Sequence, residues 1–187
     1  LTYGADDVYG SYQVPASPGS GGGGRAGGEI GGAGGGCVRI VASENVTVDG
    51  SVSVGGSYGS YTYGGGGSGG AVYIACRTIG GNNGTITANG GNTGPNGASG
   101  GGGRISVVYD VAAQLAVPTP GIAFSASSGT GGPVRGDIGT LYFPDSQFLT
   151  RQTPNLRHSG QWMAPGFSEF STDSLVLDKI WLRFPTE

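Results

Sequence analysis

Short runs of alternating apolar and polar residues recur along the chain, each directly after a glycine or a glycine cluster. They begin at Cys37, Ala71, Arg104 and Thr140, which are 34, 33 and 36 residues apart. Apolar residues two positions apart in a β-strand point to the same face of its sheet. The pattern therefore predicts four equivalent strands with one apolar face each. The apolar pairs are, in chain order, Val38 and Ile40, Val72 and Ile74, Ile105 and Val107, and Leu141 and Phe143.

A second alternating segment follows in three of the four blocks. It reads VTVDGSVSV at 46–54, TITAN at 85–89 and IAFSAS at 122–127. The third block departs from the others, because residues 111–121 (VAAQLAVPTPG) replace a short turn before the second strand. One repeat is thus a strand, a turn, a second strand and a long return rich in glycine, serine, asparagine and threonine.

A single repeat of this kind cannot bury its apolar face alone, whereas stacking equivalent strands buries a continuous core. We therefore expect an all-β fold, a right-handed parallel β-solenoid (β-helix-like) of about four coils with long glycine-rich loops and an atypical C-terminal cap. The alternative is a β-sandwich, which also has many short strands but does not require a fixed period.

The ends of the chain differ from the repeats and suggest three sections. Residues 1–36 are expected to form an N-terminal glycine-rich lead-in coil, and residues 37–143 the repeat solenoid. Residues 144–187 lose the glycine richness and contain both tryptophans, the only histidine and the only methionine. We expect this last section to cap the stack, since the terminal units of repeat proteins are atypical. The start at Leu1 suggests a part of a longer protein.

Composition narrows the function classes. Glycine accounts for 43 of 187 residues, against a usual share of ~7%. Each glycine in a helix interior costs about 1 kcal/mol relative to alanine, so helices are not expected in the glycine-rich stretches. A collagen triple helix is excluded because the sequence has no Gly-X-Y period. The 9 basic residues are scattered among 12 acidic ones, so a nucleic-acid surface is not expected. No apolar run approaches the ~20 residues of a membrane helix, so membrane insertion is not expected either.

Three consecutive blocks resemble a family. They read GGGGSGGAVYIACRTIGGNNGTITANGG, GGGGRISVVYD and GTLYFPDSQFLT. Their order is similar to that in large glycine-rich extracellular repeat proteins of bacteria and plants, and the likeness covers roughly residues 31–187. The resemblance implies a repeat scaffold and an extracellular or cell-surface location. It brings no catalytic motif.

Candidate chemistry is sparse, and we expect no catalytic residues. His158 could join Ser159 and Asp173 in a triad, but no serine lies in a G-x-S-x-G elbow. The acidic residues are mostly isolated, whereas a glycosidase needs two opposed carboxylates. No cofactor or metal is expected, and nothing in the carboxylate spacing supports a calcium site. The strand alternation puts Cys37 and Cys76 on opposite faces, so a disulfide is disfavoured and Cys76 is expected in the core.

Aromatic residues are the best candidates for ligand binding. Tyr58, Tyr61 and Tyr63 lie in the glycine-rich stretch SYGSYTYGG. Tyrosine rings beside small polar residues suit stacking on sugars, although the same rings could simply pack on the wall of the scaffold. Trp162 is a further candidate for ligand binding, with a place in the core of the cap as the alternative.

Three functions remain open from the sequence. The leading one is a non-catalytic extracellular structural or adhesion module, with neighbouring domains of the same polypeptide as its partners. The alternatives are a carbohydrate-binding module of a polysaccharide-active enzyme and a phage-type receptor-binding adhesin. A polysaccharide or a cell-surface glycan is a candidate external partner.

Overall fold

Strands dominate the computed structural model, which describes residues 10–60, 62–150, 158–163 and 180–183. The all-β prediction is confirmed, because the described helices are two short ones, α1 (Val111–Leu115) and α2 (Gln147–Thr150). The strands are β1 (Cys37–Val41), β2 (Asn45–Thr47), β3 (Ser51–Ser53), β4 (Ala71–Ala75), β5 (Thr78–Gly80), β6 (Gly84–Thr87), β7 (Arg104–Val108), β8 (Ile122–Ser125), β9 (Thr140–Tyr142), β10 (Gly160–Met163) and β11 (Ile180–Arg183).

The strands form three sheets in which every pairing between named strands is parallel. The sheet orders are β1-β4-β7-β9-β10-β11, β2-β5 and β3-β6-β8. In the first sheet Cys37 pairs with Ala71, Ala71 with Arg104, and Arg104 with Thr140, the four residues that open the sequence blocks. The antiparallel pairing expected of a β-sandwich is therefore absent between these strands.

The register stacks apolar residues of successive repeats in columns. In the first sheet Val38 lies beside Val72, followed by Ile105 and Leu141, and the last three are fully buried. In the third sheet Val52, Ile86 and Phe124 form an equivalent column. These columns meet in one hydrophobic core between the sheets. The two-residue alternation in the sequence is thus the direct cause of the core.

The glycine-rich returns pack beside the sheets as a set of segments that are neither helix nor strand. We call them the glycine lattice. They cover residues 19–24, 31–36, 54–60, 64–70, 88–93, 97–103 and 126–139. Their backbones bond directly from one repeat to the next. Gly32 N–H donates to the Gly65 carbonyl at 2.8 Å, and Gly91 N–H donates to the Gly67 carbonyl at 2.7 Å. Backbone groups that would otherwise need water or a sheet partner are satisfied here.

Most glycines of the lattice have no room for a side chain. A Cβ added to Gly67 would overlap the carbonyl oxygen of Ala33, and one added to Gly100 would overlap that of Gly67. Glycine is the residue that permits such close approach of two backbones. The unusual composition therefore has a packing cause, and the glycine runs are part of the interior.

The third repeat is irregular where its sequence departs from the others. Residues 111–115 form α1, and the Asp110 carboxylate caps it by accepting from the Ala113 N–H at 2.9 Å. The side-chain amide of Gln114 bonds both backbone groups of Ile79, at 2.7 Å to the N–H and 3.0 Å to the carbonyl. One buried glutamine thus takes the place of a third strand beside β5.

Described segments from both the N-terminal and the C-terminal part of the chain contact the first sheet. Near the N-terminus, the Tyr12 ring contacts the Tyr142 ring at 5.7 Å and the Gln13 carbonyl accepts from the Ser106 hydroxyl at 2.6 Å. Near the C-terminus, β10 and β11 extend the sheet, with Trp162 paired between Leu141 and Leu182. The section expected to cap the stack therefore also contributes two strands to its first sheet.

Cys37 and Cys76 are both free, as the alternation predicted. Cys37 is exposed and Cys76 is half-buried against the core. Desolvation by burial raises the pKa of the Cys76 thiol to about 11, opposed by a backbone hydrogen bond at Val46. A thiol in this state is protonated at neutral pH and is a poor nucleophile.

Candidate functional site

A small hairpin at residues 25–29 lies between the lattice segments 19–24 and 31–36 and forms one tip of the glycine lattice. Arg25 N–H donates to the Glu29 carbonyl at 3.0 Å and closes the turn. Gly27 and Gly28 make the reversal with φ values of 109° and 93°, a region that residues with a Cβ rarely adopt. The sequence R-A-G-G-E therefore folds into a defined turn that holds Arg25 beside Glu29.

The loop of the next repeat, described at residues 58–60 and 62–63, docks on this hairpin. Ser60 clamps Ile30, because its hydroxyl accepts from the Ile30 N–H at 2.6 Å and donates to the Ile30 carbonyl at 2.9 Å. The Glu29 carboxylate accepts from the Tyr63 N–H at 2.7 Å. Two loops that are 34 residues apart in the chain are thus joined by side-chain bonds to backbone atoms.

Arg25 and Tyr63 lie together at the surface of this junction, and Ile30 and Tyr58 are exposed on the same two chain segments. The Arg25 guanidinium carbon lies 4.2 Å from the centre of the Tyr63 ring, a cation–π contact. The exposed fractions are 70% for Ile30, 56% for Tyr58 and 43% for Tyr63. We call Arg25, Glu29, Ile30, Tyr58 and Tyr63 the tip site. It offers aromatic faces and one guanidinium to solvent, the features that a sugar-binding surface needs.

The four candidate binding residues from the sequence differ in their exposure in the structure. Tyr58 and Tyr63 lie in the same exposed loop, and Tyr61 lies outside the described residues. Trp162 is fully buried and stacks on Phe143, with ring centres 4.4 Å apart. A ring in that position presents no face to a ligand in solution, so Trp162 is not part of the tip site and belongs to the core, the alternative given above.

Sequence reasoning missed Arg25, Glu29 and Ile30. Their position next to Tyr63 depends on how the loops of two successive repeats align, and the alternation of the strands does not give that alignment. One local signal was available, because Gly27-Gly28 between two charged residues is typical of a tight turn.

A concave feature lies where the third repeat lacks its strand. It is a cavity of about 270 Å³ between the β2-β5 sheet and the loop 117–120. Its lining is polar but uncharged, with Thr47, Thr78 and Asn82 facing Pro118 and Pro120. The neighbouring edge of β5 is already closed by Gln114. Within this lining the Thr78 hydroxyl donates to the Asn45 side-chain oxygen at 2.7 Å.

His158 is held in a structural role. Its Nδ1 accepts from the Phe124 N–H at 3.2 Å, and the ring donates to the Phe148 carbonyl. Desolvation lowers the pKa of His158 to about 4, opposed by the bond to Phe148. The Ser159 hydroxyl bonds the Ser127 hydroxyl at 2.6 Å, and Asp173 lies outside the described residues. A neutral imidazole with both nitrogens engaged cannot accept a proton from a serine without losing a buried hydrogen bond.

Within the described part of the chain, no cluster of three or more histidine, cysteine, aspartate or glutamate residues could hold a metal ion. The Tyr109 hydroxyl donates to Asp145 at 2.7 Å, and burial raises the pKa of that tyrosine far above its usual range. Among the described residues no helix is long and apolar enough to cross a membrane.

Comparison with known proteins finds no matching family model, no similar curated protein and no similar solved structure.

Proposed function

We propose that this chain is a non-catalytic extracellular structural or adhesion module of a larger surface or secreted protein. In this proposal it is a right-handed parallel β-solenoid of about four coils, since crossovers between parallel strands are right-handed in almost all proteins. The in-register pairing of β1, β4, β7 and β9 from consecutive repeats supports that architecture.

The glycine lattice is the observation that carries the proposal. The long returns are bonded backbone to backbone across repeats, as in the 2.8 Å bond from Ser57 N–H to the Ala33 carbonyl. Loops fixed in this way keep their outer ends in place, whereas free glycine-rich chains behave as flexible linkers. A stiff body with ordered loop ends suits the spacing or display of a contact surface.

The non-catalytic and extracellular parts of the proposal rest on different grounds. The first is supported by His158, whose two nitrogens are committed to backbone groups. The second, together with kinship to the glycine-rich repeat proteins of bacteria and plants, rests on the three sequence blocks quoted above. A receptor-binding adhesin of the phage type would use the same stiff body and displayed loops.

Carbohydrate binding is the second candidate function, and one observation favours it. Tyr58 and Tyr63 are 56% and 43% exposed, so they do not simply line the wall of the scaffold. Exposed aromatic rings on a fixed loop are well placed to stack on sugar rings, because the loop loses little freedom on binding.

Two measurements on the purified chain test these proposals. The first is amide hydrogen exchange, in which the lattice amides of Gly32, Gly67 and Gly91 should exchange as slowly as strand amides. Fast exchange of the lattice with slow exchange of the strands would overturn the stiff scaffold.

The second measurement is attachment to a panel of polysaccharides and glycan-coated surfaces, with reducing-end analysis of the polymer. We expect attachment without release of product, and its loss in the double variant Tyr58→Ala/Tyr63→Ala. Val14→Ala, at a side chain 52% exposed, is the control and should attach normally. Cleavage of any polymer would overturn the non-catalytic proposal.

A further inference from the structure

The tip site contains a guanidinium that is exposed and held in place. Arg25 is fixed at its backbone by the bond to Glu29 and at its head by the Tyr63 ring. Within the described residues it forms no ion pair. The planar donors of an arginine stacked on an aromatic ring remain free at their edges to bind a carboxylate.

Among the described residues, the neighbouring acid Glu29 is engaged by a backbone N–H and forms no ion pair with Arg25. Glu29 directs its carboxylate Oε2 to the Tyr63 N–H at 2.7 Å, where it serves to join the two loops. Glu29 is half-buried, whereas Arg25 is exposed. The most accessible charge of the tip site is therefore positive, although the whole chain has a net charge of −3.

From these contacts we infer that the tip site binds an acidic saccharide, a polymer or glycan terminus whose sugar ring carries a carboxylate. The sugar ring lies on the exposed aromatic side chains, and its carboxylate accepts from Arg25. This inference rests on the proposed carbohydrate binding and adds the class of sugar. Neutral polymers would use the rings but leave the guanidinium without a partner.

A second arginine provides a matched control. Arg39, on the outer face of β1, also lies over a tyrosine ring, with its guanidinium carbon 5.2 Å from the centre of Tyr73. Tyr73 is half-buried on a strand, whereas Tyr63 lies in an exposed loop. A general attraction between polyanions and exposed arginines would involve both residues, whereas a built site would involve Arg25 alone.

The test uses calorimetry or bio-layer interferometry with oligogalacturonate and with the same oligomer fully methyl-esterified. We expect saturable binding of the acid form only. Arg25→Gln should weaken it by about tenfold or more, because a charge-assisted hydrogen bond is lost. Arg25→Lys should weaken it less, since the positive charge remains and only the paired, planar N–H donors of the guanidinium are lost. Arg39→Gln should bind as the unaltered chain does.

The outcomes distinguish binding of an acidic saccharide from carbohydrate binding in general. Equal binding of the acid and the ester, unchanged in Arg25→Gln, would overturn the acidic saccharide and leave carbohydrate binding in place. Equal losses in Arg25→Gln and Arg39→Gln would also overturn it, because they indicate unspecific attraction. Absence of binding to any saccharide would overturn both, while the hydrogen-exchange test of the scaffold would stand independently.

Discussion

At the residue scale, the glycine lattice divides the glycines into two kinds. Some have no space for a side chain, such as Gly67 beside the Ala33 carbonyl. Others have open surroundings and an ordinary backbone, such as Gly36, where an added Cβ would meet nothing within 4 Å. Composition alone cannot separate the two kinds, but substitution can.

Replacing Gly67 with alanine should destabilise the fold strongly. The new methyl group must push two bonded backbones apart, and overpacking of this kind costs about 1–3 kcal/mol or more. Gly36→Ala should change the free energy of unfolding by less than about 1 kcal/mol, and could stabilise the fold by restricting the unfolded chain. Urea denaturation measures both, and similar losses in the two variants would contradict close packing of the lattice.

His158 should make stability depend on pH between about 4 and 6.5. Burial lowers its folded pKa from 6.5 to about 4, so in this range the unfolded chain binds a proton that the folded chain does not. Stability should therefore be complete above pH 6.5 and fall as the pH falls towards 4. The loss is on the order of 3 kcal/mol at most, since each pH unit between the two pKa values is worth about 1.4 kcal/mol.

The matched variant for this effect is His158→Gln, whose amide can still accept and donate a hydrogen bond. It should lose the slope of stability against pH in this window while keeping most of the fold. Because His158 is the only histidine, an unchanged slope in the variant would assign the effect to carboxylates and contradict the prediction.

At the scale of elements, the third repeat shows how a side chain can replace a strand. Parallel pairing turns the N–H and carbonyl of Ile79 away from β2 and towards the missing strand. Both groups are met by the amide of Gln114, which is 1% exposed. Helix α1 serves to place that one side chain, and the chain then continues to β8.

Gln114→Ala should leave two buried backbone groups without partners. An unsatisfied buried group costs about 1–3 kcal/mol, so we expect a loss of several kcal/mol in the free energy of unfolding. The control is Leu115→Ala on the same helix, at a side chain 52% exposed, which should cost less than about 0.5 kcal/mol. Faster hydrogen exchange of the Ile79 amide in Gln114→Ala would locate the effect, and its absence would contradict this role.

The strands were the part of the fold that the sequence predicted best, because alternation is a local property. β1, β4, β7 and β9 begin at the residues where the four blocks begin. Helix α1 was not predicted, although residues 111–121 were recognised as irregular. Five residues are too few to show a clear helical period. The helix is explained by the contact between Gln114 and Ile79, two residues that are 35 positions apart in the sequence.

The candidate site was predicted only in part for the same reason. Exposed tyrosines beside glycines can be read from one segment, and Tyr58 and Tyr63 are indeed at the surface. The position of Arg25 over Tyr63 requires the alignment of two loops, which is set by the lattice bonds between repeats. Trp162 was named as a candidate although it is buried, because the local sequence does not distinguish a core tryptophan from an exposed one.

At the scale of the whole molecule, the two ends of the stack are built differently. β1, β2 and β3 each lie at the edge of their sheet with one strand partner. At the other end, Gln114 closes the edge of β5, and His158 accepts from the Phe124 N–H of β8. Phe124, Phe143, Phe148 and Trp162 also form an aromatic cluster there. Among the described residues, these contacts cover the core at the β5 and β8 end, whereas the core-facing residues of β1, β2 and β3 are only partly buried.

This polarity predicts different costs for one substitution at two equivalent positions. Ile40 and Ile74 are paired in register on β1 and β4, yet Ile74 is fully buried and Ile40 only partly. Ile74→Ala should cost about 2–5 kcal/mol in the free energy of unfolding, and Ile40→Ala clearly less. Because the chemical change is identical, the difference measures how well the first layer is covered in solution.

Denaturation at several protein concentrations completes the comparison. Equal costs at all concentrations would contradict an open first layer, since Ile40 would then be as buried as Ile74. A cost at Ile40 that rises with concentration would show that a second chain covers β1, β2 and β3, as unpaired strand edges invite. A constant and smaller cost at Ile40 is the result expected of a stack whose first layer faces solvent.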